Sequence, residues 1–266
     1  MAATKSRILG SGHYAIRVVP EFSPRLERAY AHCAVIARRH YENFPVASGL
    51  LPASMRPHIA AIYAFARSAD DFADEGERTD YERLCLLDDW QRRLRELSQG
   101  RPSAQADDDG DMIFSALSHT IDSFELPIGL FEDLLSAFRQ DVTVYRYNTW
   151  EELLDYCRRS ANPIGRLVLR IAGCWHVDSE RSSDCVCSGL QIANFLQDFA
   201  RDWERGHLYI PVEIYSTYGA REQDLGQPYL VSEWREAVSD LVGRTRKLLY
   251  QGRSVCDYVQ GPLKYE

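Results

Sequence analysis

"HIAAIYAFARSADDFADEGE", His58 to Glu77, runs from an apolar stretch straight into five acids in eight residues, Asp70 to Glu77. At about 100° per residue, Tyr63, Arg67, Asp70 and Asp74 fall in one narrow stripe, being spaced i, i+4, i+7, i+11. Ile59 and Ala66 flank that stripe, and Phe65, Ala69 and Phe72 lie on the far side. The period is helical. An ordinary solvated face would carry more polar neighbours, and on this pattern alone an exposed acidic helix end stays the alternative.

A second stretch repeats the device. In "SGLQIANFLQDFARDWERGHLYIP", Ser188 to Pro211, the same wheel aligns Gln191, Asn194, Asp198 and Asp202, with Ile192, Phe195, Leu196, Phe199 and Trp203 beside and behind them. Around these two segments helical periodicity dominates and no alternating strand pattern stands out. Helices are expected at about 24–41, 53–75, 80–98, 111–124, 127–145, 149–160, 163–176, 180–204 and 232–250. The fold class is all-α.

Composition narrows the function. The chain has 266 residues, 45% of them hydrophobic, with a net charge of −8, enough apolar material for a large core. The acidic balance, with arginines scattered among acids, argues against nucleic acid as a partner. The first twenty residues hold no apolar core of signal-peptide length, and no window reaches the roughly 18 apolar residues of a membrane span, so a cytoplasmic chain is expected. The seven cysteines lack CxxC spacing and read as reduced thiols. His119, His176 and His207 show no ligand spacing to one another. "GRPSAQADDDGD", Gly100 to Asp111, fails as a calcium loop because Gln105 and Ala116 occupy ligand positions; it reads as a solvated turn. No glycine-rich nucleotide loop is present in the sequence.

If the two stripes face each other, four carboxylates converge. Two like charges about 4 Å apart cost roughly 4 kcal/mol at an effective dielectric near 20, so the arrangement calls for cations or protonation. Magnesium takes oxygen ligands, keeps several waters and bridges one or two carboxylates to substrate phosphate. An acidic protein can thereby bind an acidic diphosphate.

"YAFARSADDFADE" and "NFLQDFARDWERGHLYIP" resemble the two DxxxD signatures of the squalene/phytoene synthase family, the head-to-head prenyltransferases, and the likeness extends from about His40 to Pro211. "ENFPVAS", Glu42 to Ser48, and "YCRRSANPIGRLVL", Tyr156 to Leu169, further resemble the hopanoid-pathway HpnC branch, whose members are hydroxysqualene synthases. The resemblance implies one isoprenoid-synthase helical bundle with a central cavity over residues 1–266, although "GPLKYE" ends the chain before the family's usual last helix. It implies metal binding by Asp70, Asp74, Asp198 and Asp202, with Asn194 near the metal or diphosphate. It further implies catalytic roles for Tyr63, Arg67 and Tyr156, and substrate contacts at His40, Asn43, Phe44, Arg67, Gln191 and Phe195.

About three magnesium ions would accompany the diphosphate by the same resemblance. Tyr41, Asn43 and Gln197 depart from enzymes that condense two farnesyl diphosphates, Gln197 replacing an arginine. The expected reaction is therefore presqualene diphosphate to hydroxysqualene: ionisation, carbocation rearrangement and a water quench, without NADPH. The alternatives are a squalene- or phytoene-type synthase joining two prenyl diphosphates, a head-to-tail prenyltransferase suggested by the literal "DDFAD", and a non-enzymatic helical adaptor. Apolar C30 lipids are compatible with peripheral contact at the inner membrane and with pathway enzymes upstream and downstream as partners.

Overall fold

The computed structural model describes residues 23–39, 51–100, 108–261 and 264. Eleven α-helices follow one another among these residues: α1 (Pro24–Arg39), α2 (Arg56–Asp74), α3 (Asp80–Ser98), α4 (Asp109–Phe124), α5 (Ile128–Thr143), α6 (Trp150–Ser160), α7 (Asn162–Ile171), α8 (Val177–Gln197), α9 (Phe199–Glu204), α10 (Val212–Thr217) and α11 (Ser232–Gly252). Short 3-10 turns lie at Glu222–Gly226 and Arg253–Asp257. No strand forms among the described residues; one bridge joins Arg146 to Leu208. The all-α reading holds.

Local chemistry sets the ends. Pro57 opens α2 where a missing N–H costs nothing. Thr79 and Glu82 cap α3 reciprocally, and the Asp108 side chain accepts from Asp111 N–H at the start of α4. α7 ends at Ile171, earlier than periodicity suggests, because Gly173 turns into the left-handed region at φ +67° and Cys174 N–H bonds back to Leu169. α8 starts at Val177, with the His176 ring accepting from Asp178 N–H.

The helix expected over 180–204 is broken at Asp198, which closes α8 and opens α9 at φ −90°, ψ 7°. Asp198 N–H still reaches Asn194 O and Asp202 N–H reaches Asp198 O, both at 2.8 Å, so the chain bends without reversing. α10, six residues after Pro211, is too short to display a period and is not among the expected helices.

Two apolar cores divide the molecule. One gathers α1 to α5 with Leu167 and Ile171 of α7, around Phe65, Phe114, Phe131, Leu134 and Leu135. The other gathers α6, α8, α10 and α11 around Tyr147, Leu153, Ile192 and Trp234. α5 belongs to both, since Leu134 and Phe138 face the first core and Ala137 the second. The acidic end of α2 comes from the first core and the α8–α9 junction from the second, so the seam between the cores is where the two acidic segments meet.

Candidate functional site

α2 carries its first acids into a half-enclosed position. Phe65 and Ala69 are fully buried and Ile59 nearly so, which pins the helix in the first core and leaves Tyr63, Arg67 and Asp70 half-buried on the opposite side. Arg67 holds three acids of its own helix end: Asp70 at 3.0 Å, Asp71 at 2.6 Å and Glu75 at 2.7 Å. Its Nε is buried without a hydrogen-bond partner. Carboxylate oxygens of Asp70, Asp71 and Asp74 lie within 4.8 Å of one another.

Burial pushes the Asp70 carboxyl up to about 7; Asp74 adds to this, Arg67 opposes it, and Asp71 and Glu75 add further. The Asp70 side chain nevertheless retains 37% of its accessible surface, so it is closely surrounded by protein without being sealed in a core.

The second segment faces the same place. Burial raises Asp202 to about 6, with Asp198 adding, Arg205 and Arg201 opposing and Asp74 adding. Asp74 is thus felt from across the seam, and Arg205 Nη1 spans it directly, 3.4 Å from Asp74 Oδ2. The two expected stripes converge. Gln191, Asn194 and Asp198 are all half-buried along this segment.

Behind the carboxylates stands an aromatic wall. Phe195 stacks on Tyr209 with ring centroids 3.8 Å apart and planes within 2°. Tyr156 lies 6.0 Å from both rings and 5.5 Å from Tyr147, and His207 stacks on Tyr209 at 5.8 Å. The parallel bridge that brings Leu208 beside Arg146 holds Tyr209 here, secured by Arg146 gripping Glu222 at 2.8 Å.

Tyr156, 4% exposed, donates its hydroxyl to Asp141 Oδ2 at 2.9 Å. Asp141 is pushed well above the usual carboxylate range by burial, against the Tyr156 hydrogen bond, with Asp70 and Asp74 adding and Arg159 opposing. Its Oδ1 is buried with no hydrogen-bond partner.

Tyr63, Arg67, Asp70, Asp74, Asn194, Asp198 and Asp202 therefore lie on the two segments that meet at the seam, with Phe195 and Tyr156 behind them. His40, Asn43 and Phe44, together with Tyr41, lie outside the described residues. Asp71, Asp141, Tyr147 and Tyr209 are additional members that sequence reading does not single out, and His207, read there only as a histidine without ligand spacing, stands with them. A signal for Asp141 exists: it sits three after Phe138 and seven after Leu134, on the apolar stripe of α5.

The histidines and cysteines behave otherwise. All seven cysteines are free. His119 joins His58, Tyr30 and Thr120 in a polar cluster between α1, α2 and α4, with Tyr30 Oη 2.8 Å from His119 Nδ1 and 3.1 Å from His58 Nδ1. A cavity of about 420 Å³ beside it is lined by Arg25, Asp111, Ser115, Ser118, His119 and Asp122 among others, and shares no residue with the aspartate site.

The oxygen-only donor set, frustrated by its own repulsion, fits a hard divalent cation. The squalene/phytoene synthase family model matches residues 37–265. A hydroxysqualene synthase of Zymomonas mobilis is 41% identical over 212 residues, 78% of this chain and 67% of that protein. One from Sinorhizobium fredii is 35% identical over 225 residues, 84% and 73% respectively.

Among solved structures, squalene synthase HpnC from Alicyclobacillus acidocaldarius superposes with a TM-score of 0.82 at 35% identity, covering 92% of this chain and 89% of that one. A dehydrosqualene synthase shares the fold at 22% identity and a TM-score of 0.80. With the aspartate pairs, the helical bundle and these likenesses in agreement, the chain belongs to the squalene/phytoene synthase family and is an enzyme of it.

Proposed function

We propose that the chain converts presqualene diphosphate to hydroxysqualene in a magnesium-dependent reaction. The observation that carries this reading is the 35–41% identity to hydroxysqualene synthases over more than three quarters of the chain, joined to a seam of carboxylates able to hold a diphosphate only through cations. Asp70, Asp74, Asp198 and Asp202, with Asn194, would hold the ions, and Asp71, whose carboxylate lies within 4.8 Å of those of Asp70 and Asp74, would join them. Bound there, magnesium supplies charge neutralisation for the departing diphosphate.

The chain's own side chains do the rest. Arg67 contributes a permanent cation beside the leaving group, and its present pairing with Asp70, Asp71 and Glu75 keeps it extended along the rim. Tyr156, Phe195 and Tyr209 present aromatic faces and no strong nucleophile, so a carbocation generated beside them is stabilised by about 0.5–2 kcal/mol per ring without being trapped early. Water then closes the reaction, bonding to the cationic carbon and losing one proton.

Oxygen-18 water decides it. Presqualene diphosphate with magnesium and no NADPH should yield a C30 alcohol carrying the label, with no gain on adding NADPH. Squalene formed only with NADPH, or rapid consumption of farnesyl diphosphate alone, would replace this reading with that of a reductive or two-substrate synthase.

A further inference from the structure

Asp141 has no place in the metal set or the diphosphate contacts just assigned, yet it is unfavourably placed in the seam. One oxygen accepts from Tyr156 at 2.9 Å, and the other is buried without a hydrogen-bond partner. The fields of Asp70 and Asp74 press on it from α2, against the Tyr156 hydrogen bond and Arg159 of α6. Arg159 itself is already committed to Asp155 at 3.0 Å, to Ser136 at 2.9 Å and to Gln140. A half-satisfied buried carboxyl among like charges is a cost to the fold, and an apolar residue on this stripe of α5 would relieve it. Such a cost persists at positions that serve the site rather than the core.

We infer that Asp141 is a positioning residue that acts through Tyr156. A phenol has one proton to give. By accepting it, Asp141 fixes the hydroxyl rotor, so that any other polar group reaching the Tyr156 oxygen meets lone pairs only. The ring is fixed by the same bond among its aromatic neighbours Tyr147, Phe195 and Tyr209. Tyr156 thereby offers electron density, and no acidic proton, to a cation or a water beside it. Rotation of the hydroxyl would reverse that polarity. The inference rests on the proposed reaction only in requiring that a prenyl diphosphate be ionised at this seam, and it is the same for water or hydride termination.

The test is a double-mutant cycle read by pyrophosphate release, run on presqualene diphosphate and on farnesyl diphosphate. Asp141→Leu, which fills the space but accepts no hydrogen bond, should lower kcat about tenfold or more while KM stays within about twofold. In a Tyr156→Phe background the same change should alter kcat by less than about twofold, because the group it acts through is gone. Asp141→Asn, whose amide oxygen can still accept, should recover most of the loss. The Leu variant should melt no lower than wild type; if it fails to fold, Asp141→Ala takes its place in the cycle.

Wild-type kcat in Asp141→Leu, or an equal loss with and without the Tyr156 hydroxyl, overturns the inference while leaving the proposed function standing. No pyrophosphate released by the wild-type chain from either substrate overturns both.

Discussion

Asp70 is the residue at which charge, burial and proposed function conflict most openly. Its carboxyl is held near 7 by burial and by Asp74, whereas an unfolded aspartate titrates near 4. A folded-state value raised above the unfolded one means that this group's contribution to stability is present below pH 4 and is lost as pH rises through about 7. Asp70→Asn should therefore stabilise the metal-free chain at pH 8. Discounted for the 37% exposure of the side chain, the gain is of order 1 kcal/mol, or about 2–4 °C in melting temperature by calorimetry. The same variant, and Asp198→Ala on the other segment, should lose most magnesium-dependent turnover, and wild-type rates in limiting magnesium would remove both from the metal set. Arg67→Lys keeps the charge but not the planar fork that grips several oxygens at once, so turnover should fall about tenfold or more. Unchanged turnover would make Arg67 a structural partner of Asp71 and Glu75. At this scale the sequence is legible wherever spacing reports a face: Asp70 and Asp74, Asp198 and Asp202 stand out by their i, i+4 pairing. Asp141 shows only as an acid on the apolar stripe of α5 and Tyr209 not at all, because the partners that give them a role come from elsewhere in the chain, and no local pattern names those partners.

Helices show where local rules suffice and where a neighbour overrules them. The ends of α2 and α3 follow from Pro57 and the Thr79–Glu82 box, both visible as residue types in order. The break at Asp198 is not visible, since Gln197, Asp198 and Phe199 all sit comfortably in a helical period. The polar cluster joining α1, α2 and α4 is equally silent, because Tyr30, His58 and Thr120 are far apart in the chain and meet only on packing. It carries a prediction of its own. Burial pushes His58 down to about 4, with His119 adding to the effect. A histidine depressed on folding contributes stability that is full above its unfolded value near 6.5 and is lost as pH falls through about 4. The urea midpoint should accordingly decline between pH 7 and 4.5, and His58→Gln, which can keep a hydrogen bond to Tyr30 but takes up no proton, should flatten that decline. An identical slope in the variant would place the acid sensitivity elsewhere.

Among the described residues two cores share α5, and the acids of one confront the acids of the other across the seam. Arg205 ties the two sides together on Asp74 at 3.4 Å, between two half-exposed side chains, a weak tie for opposing so much like charge. Cations with a diphosphate would replace repulsion by shared ligation, so binding to the folded state alone must stabilise both cores together. At a hundredfold excess over the dissociation constant the linkage is about 2.7 kcal/mol, which for a chain of this size is about 5–10 °C at about 2–4 °C per kcal/mol. Protons compete for the same oxygens, since Asp70 titrates near 7 and Asp202 near 6. Both must be deprotonated to ligate, so the stabilisation by magnesium and pyrophosphate should be markedly smaller at pH 6 than at pH 8, opposite in sense to the pH dependence of Asp70 in the metal-free chain. Calorimetry at the two pH values, with magnesium alone, pyrophosphate alone and both together, measures it. The full increment should need both components and should vanish in Asp70→Ala/Asp198→Ala. An increment that ignores pH, or survives in that double variant, would mean that the ions sit elsewhere and that the seam is held by its arginines alone.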